Sequence, residues 1–173
     1  FTDWVYYEGS ASWERQDGTD GNLVNNAPNI ATTNAADGGI FLMTDGANDT
    51  GTALLEAVFD FSGLSSVNFT FSYCMYSVWG FEGVNTLEAS TNSGSTWATL
   101  WSDSGNPNNS WYEADIDLDA YAGLSDVTLR FTAVMGGTWY KNYMCLDAFS
   151  VTGVENPDID SDGLPNDWET QYF

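Results

Sequence analysis

Residues 67–78 read VNFTFSYCMYSV, and this stretch decides the fold. Val67, Phe69, Phe71, Tyr73 and Met75 share one parity, while Asn68, Thr70, Ser72, Cys74 and Tyr76 share the other. A β-strand sends successive side chains to opposite faces, so the pattern predicts a central strand with one large apolar face. That face needs a second layer to cover it, which predicts a sandwich.

The same alternation recurs on both sides of the stretch. Upstream, Ile40 to Thr44 and Ala53 to Phe61 read as strands separated by the turn-rich DGANDTG. Residues 1–37 carry Asn, Asp, Gly and Thr among scattered aromatics and read as one or two short strands within long loops. Downstream, Asn85 to Thr91 and Thr96 to Ser102 flank Asn92-Ser93-Gly94-Ser95, a hairpin turn. From Tyr112 to Asp119, apolar residues alternate with Glu113, Asp115, Asp117 and Asp119, predicting a strand with one wet acidic face. Val127 to Ala133 and Tyr143 to Thr152 supply the last two strands. About eight strands without helical periodicity predict an all-β chain, an antiparallel β-sandwich.

Composition narrows the function. Twenty-five acids against Arg15, Arg130 and Lys141 give a formal net charge of −22. Phosphate binding needs Lys and Arg in number, which excludes nucleic acid and anionic membranes as partners. Such a charge suits high salt or bound divalent cations. The absence of histidine removes Ser-His-Asp and Cys-His catalysis and the histidine zinc sites together. No segment is apolar for long enough to insert into a membrane, and a chain beginning at Phe1 reads as a mature form or an excised piece.

Beyond Gly153 the composition changes, and the chain divides into a sandwich over residues 1–153 and an acidic appendage over residues 154–173. Residues 158–169, DIDSDGLPNDWE, fit an EF-hand-like calcium loop. Ca2+ prefers hard oxygen ligands, and this spacing wraps Asp158, Asp160 and Asp162 around one point. Gly163 permits the sharp turn, the Leu164 carbonyl is a further ligand, Asn166 occupies the ninth position and Glu169 closes the shell. No entering helix precedes the loop. An acidic disordered linker is the competing reading.

Several segments together resemble the MAM (meprin/A5/mu) domain in the form common in secreted bacterial proteins. They are FTFSYCMYS (69–77), LEASTNSGSTWATLW (87–101), SWYEADIDLDAYAG (110–123), VTLRF (127–131) and MCLDAFSV (144–151). The resemblance implies a jelly-roll β-sandwich and an extracellular, secreted or cell-surface adhesion or accessory module without catalysis of its own. The terminal loop is similar to the calcium repeats of thrombospondin type 3 or dockerin kind. Jelly rolls often bring first and last strands together, so the resemblance also implies a second cation site at Glu8 and Asp147. Asp45 and Asp49 are other candidates, and ordinary solvated acids are the alternative. Cys74 does not match the family's disulfide cysteines. Its one possible intrachain partner is Cys145, and in an oxidising compartment a disulfide between them is expected. Closing a loop of about 70 residues, it would stabilise the fold by roughly 2–4 kcal/mol.

Trp79, Phe81, Trp139 and Tyr140 lie in loops, where flat apolar faces beside Asn, Asp and Glu suit sugar rings and their hydroxyls. Packing between loops is the rival reading. Trp97, Trp101 and Trp111 fall within the family segments and are expected in the core. Glu113, Asp115 and Asp117 approach the E-x-D-x-E arrangement of laminarinase-type glycoside hydrolases. The third residue is one methylene short, and a solvated strand face is the stronger expectation. The reading that results is a calcium-stabilised binding module for polysaccharide or cell-surface glycan. A structural spacer or a domain adhering to another protein is the alternative.

Overall fold

The computed structural model describes residues 4–7, 11–16, 36–37, 39–44, 51–75, 80–105, 110–136, 143–158, 164 and 170–171. Ten strands run through them: β1 (Val5–Tyr7), β2 (Trp13–Gln16), β3 (Phe41–Thr44), β4 (Gly51–Phe59), β5 (Leu64–Met75), β6 (Val84–Ser90), β7 (Ala98–Asp103), β8 (Tyr112–Asp117), β9 (Val127–Met135) and β10 (Met144–Glu155). They form two five-stranded sheets, β1-β4-β9-β6-β7 and β2-β3-β10-β5-β8. Every pairing is antiparallel. The molecule is the expected jelly-roll β-sandwich, and a single 3₁₀ turn at Asp119–Tyr121 interrupts it.

Residues 67–75 of the deciding stretch lie in β5, flanked by β10 and β8, and residues 76–78 lie outside the described residues. Val67, Phe69, Phe71, Tyr73 and Met75 are buried in the main core, as their shared parity requires. They meet Leu55, Leu87, Leu129 and Phe131 of the facing sheet. Phe71 and Phe131 sit edge to face with centroids 4.9 Å apart, and Trp4 stacks on Phe149 at 5.1 Å. Such aromatic pairs add about 0.5–1.5 kcal/mol each beyond the burial of their area.

On β8, Ala114 and Ile116 are buried while Glu113, Asp115 and Asp117 are exposed, which is the predicted wet acidic face. β10 continues two residues past Gly153, because the ladder with β5 runs on to Glu155 opposite Leu64. Asn156 then donates its N–H to the Gly63 carbonyl at 2.9 Å.

The outer face of the β5 sheet is not wholly polar. Phe41, Met43, Cys74, Tyr143 and Cys145 form a second buried cluster there, with Trp111 packed against it. Cys74 and Cys145 are direct cross-strand neighbours, as a disulfide requires. Both are buried, at 1% and 0% exposure. Burial pushes the Cys74 thiol up to about 12, and both cysteines pack among the apolar side chains of this cluster.

Candidate functional site

The outer face of the other sheet carries a groove of about 560 Å³, within the range of small-ligand sites. Its floor follows from strand register. Arg130 on β9 lies directly opposite Glu56 on β4 and Glu88 on β6, so one guanidinium sits in a row between two carboxylates. Glu88 Oε2 accepts from Arg130 Nη2 at 2.9 Å, from Nε at 3.1 Å and from Thr132 Oγ1 at 2.8 Å. Glu56 Oε1 is farther, 3.8 Å from Nη1. The three charged side chains are only 18–21% exposed, which fixes the row and strengthens its electrostatics.

Trp97 stands above this row. The Arg130 guanidinium carbon lies 3.6 Å from the Trp97 ring centroid, a close cation–π contact. The β6–β7 hairpin holds the indole in place. Ser93 and Gly94 adopt positive φ of 54° and 81°, as the expected turn requires. Ser90 Oγ accepts the Gly94 N–H at 2.9 Å, and Asn92 Oδ1 accepts the Thr96 N–H at 2.9 Å. A Cβ at Gly94 would come within 3.3 Å of the Trp97 ring. Leu54 and Val58 add apolar lining, and Asp126 adds a carboxylate. The groove thus offers an aromatic surface beside carboxylate acceptors, the pairing that a sugar's carbon face and hydroxyls require.

The family segments and simple alternation together hid this site. Trp97 and Trp101 are both expected in the core from the family segments, and their shared parity does not separate them. A register shift between Leu87 and Glu88 sets Glu88 opposite Thr99 and Leu87 opposite Trp101. Leu100 is the extra residue of this bulge, so the parity switches across it. Trp101 therefore turns inward against Phe71 and Tyr73, with centroids at 5.2 and 4.8 Å. Trp97 stays outside. Trp111 leaves the main core too, meeting Phe41 edge to face at 5.9 Å in the second cluster.

Asp147 is the one member of the expected second cation site among the described residues. It is completely buried at a bulge of β10 beside Ala148, whose φ is 51°. Its Oδ2 accepts N–H groups from Ala36 at 2.7 Å and Asp37 at 3.4 Å, while Oδ1 is buried without a hydrogen bond. Burial raises its carboxyl above the usual range, and the charge of Asp37 adds to the rise. Glu8, Asp45 and Asp49 lie outside the described residues. No group of three or more Cys, Asp or Glu positioned for a metal occurs among the described residues.

Of the terminal loop, Asp158 and Leu164 are described and both are half-buried; Asp160, Asp162, Asn166 and Glu169 lie outside the described residues. So do Trp79, Trp139 and Tyr140. Phe81 is half-buried against the main core, where a Cβ at Gly105 would come within 2.8 Å of its ring. Of the β8 acids, Asp115 accepts from Asn68 Nδ2 at 2.8 Å and Asp117 from the Asp119 N–H at 2.8 Å.

The profile of the MAM domain, meprin/A5/mu, matches residues 2–155. No curated protein matches. Among solved structures the chain is similar to TmCBM61 bound to β-1,4-galactotriose, with 9% identity, a TM-score of 0.56 and coverage of 87% of this chain and 86% of that one. It is similar to the K1 cleaved adhesin domain of Lys-gingipain from Porphyromonas gingivalis W83, at 13% identity and TM-score 0.58, covering 87% and 90%. A third similarity is to the CBM22-1-GH10 modules of Clostridium thermocellum xylanase 10B with xylohexaose. Identity there is 10% and the TM-score 0.58, over 90% of this chain and 27% of that longer one. These likenesses establish the β-sandwich shared with carbohydrate-binding modules. Among the described residues, no helix is long and apolar enough to cross a membrane.

Proposed function

This chain belongs to the MAM domain family, meprin/A5/mu, and from that premise we propose that it is a non-catalytic, extracellular polysaccharide-binding module stabilised by calcium. The groove carries the reading, with Trp97 held over the Glu56–Arg130–Glu88 row. A half-buried row that is already paired needs little reorganisation to present acceptors to hydroxyls, and preorganisation of this kind favours binding. The oligosaccharides seen with similar folds, a β-1,4-galactotriose and a xylohexaose, make galactan and xylan the first probes. Isothermal calorimetry on both is expected to show binding that Trp97→Ala weakens at least about tenfold, roughly 1.4 kcal/mol. Full retention in Trp97→Ala with loss in Trp79→Ala or Trp139→Ala would move the site to the loops. No binding to any glycan, together with self-association, would favour a protein-adhesion or spacer role.

Calcium enters through two sets of residues. The orphaned, fully buried Oδ1 of Asp147 is the kind of hard oxygen a cation satisfies, and Glu8 is its proposed companion. Asp158, Asp160, Asp162, the Leu164 carbonyl, Asn166 and Glu169 would hold a second ion in the terminal loop. A bound ion would supply charge neutralisation and rigidity at each place. Calorimetric titration of calcium is expected to lose one site in Asp147→Asn and the other in an Asp160→Ala, Glu169→Ala pair. Unchanged stoichiometry in either variant would remove that site.

A further inference from the structure

We infer that the groove selects uncharged polysaccharide against acidic polysaccharide, and that Glu56 and Asp126 impose the selection. The inference rests on the polysaccharide-binding reading and adds to it the charge class of the ligand. Glu56 and Glu88 flank one guanidinium in the floor, and Asp126 adds a third carboxylate to the groove's lining. Among the described residues, Arg130 is the only cation lining it.

That cation is already engaged on its Nε–Nη2 edge and on one face. Glu88 occupies two of its N–H groups at 2.9 and 3.1 Å, Glu56 approaches a third nitrogen, and Trp97 covers the guanidinium at 3.6 Å. Arg130 is therefore a structural brace that orders the carboxylates and the indole. A uronate or sulfate ester entering the groove would meet carboxylates in excess over the one guanidinium, whose Nε–Nη2 edge Glu88 already occupies. The rest of the chain does not compensate, since a net charge of −22 leaves the surrounding field negative. Hydroxyls face no such barrier, because they donate to carboxylates as readily as to water.

Glu56 and Asp126 are the deciding residues because Glu88 is committed. Glu56 is the looser partner of Arg130, at 3.8 Å, and Asp126 is solvent-exposed at the groove's edge. At separations of about 6 Å and an effective dielectric between protein and water, one like charge weakens binding by about tenfold. Part of the effect is screened by salt.

The test compares one polymer in two charge states. Galactan or xylan, whichever the wild type binds, is carboxymethylated to a low degree, and both forms are titrated calorimetrically into the intact chain. The wild type is expected to prefer the neutral form by about tenfold or more at low salt, with the ratio falling as sodium chloride is raised. In Glu56→Gln/Asp126→Asn the ratio is expected to fall to about threefold or less. Asp126→Asn alone, at an exposed position with no packing role, provides a variant that folds if the double substitution does not, and it too must narrow the ratio. Equal binding of both forms by the wild type, or an unchanged ratio in the substituted proteins, overturns the inference and leaves the polysaccharide-binding reading intact. A wild type that retains neither neutral polymer overturns that reading itself.

Discussion

Trp97 owes its place to two neighbours of opposite kind, a glycine that lets the turn come close and a guanidinium that holds the ring. Gly94→Val would strain a backbone at φ 81° and press on the indole, so it is expected to lower glycan affinity and destabilise the fold by about 1–3 kcal/mol. Urea unfolding beside calorimetry reads both effects. Cys74 makes a prediction of another sort. Its thiol is held near 12 by burial, whereas an unfolded cysteine titrates from an ordinary value of 9.0. Below that ordinary value both states are protonated and the contribution to stability is fully present. As pH climbs from about 9 towards 12 only the unfolded chain loses its proton, so stability falls. Thermal unfolding of reduced protein across this window should decline more steeply in the wild type than in Cys74→Ala. Parallel curves would mean that the thiol is accessible and unshifted.

At the scale of strands, β4, β9 and β6 share a register that puts Glu56, Arg130 and Glu88 in line. Arg130→Met removes the shared cation and leaves two largely covered carboxylates facing each other. The expected cost is about 1–3 kcal/mol, with partial recovery when Glu88→Gln is added. The loop after β7 is equally constrained, for Gly105 adopts φ 121° with the Phe81 ring against it. Gly105→Ala should therefore destabilise by a similar amount, measurable as a lowered urea midpoint. Strand existence was legible in the sequence because β5, β8 and β9 each send one parity into the main core. The acidic face of β8 and the core set from Val67 to Met75 needed no more than that period. The groove was not legible because its aromatic is separated from Trp101 by a bulge, and period 2 carries no mark of one extra residue. The outer cluster around Cys74 escaped for a related reason: alternation shows which residues share a face, not whether that face is covered. Asp147 was singled out through the family resemblance, and its burial and orphaned oxygen are visible only in the folded chain.

For the molecule as a whole, the charge of −22 sets the response to salt. Self-repulsion opposes the compact state, and screening relieves it. Sodium chloride is therefore expected to raise the thermal midpoint gradually, and calcium at matched ionic strength to raise it further, with a chelator reversing the excess. Identical midpoints in the two salts would assign the whole effect to screening and none to bound ions. The division of labour between the sheets has a mechanical outcome as well. The final strand β10 lies inside its sheet, and from Ser150 to Glu155 it is laddered to Thr70 through Leu64. The groove belongs to the opposite sheet. Tension applied beyond Glu155 would be taken up by that ladder and peel it residue by residue, while β4, β9 and β6 lie off the load path. A force probe pulling on the C-terminal side would then meet the first yield in β10, with the groove on the far face still intact.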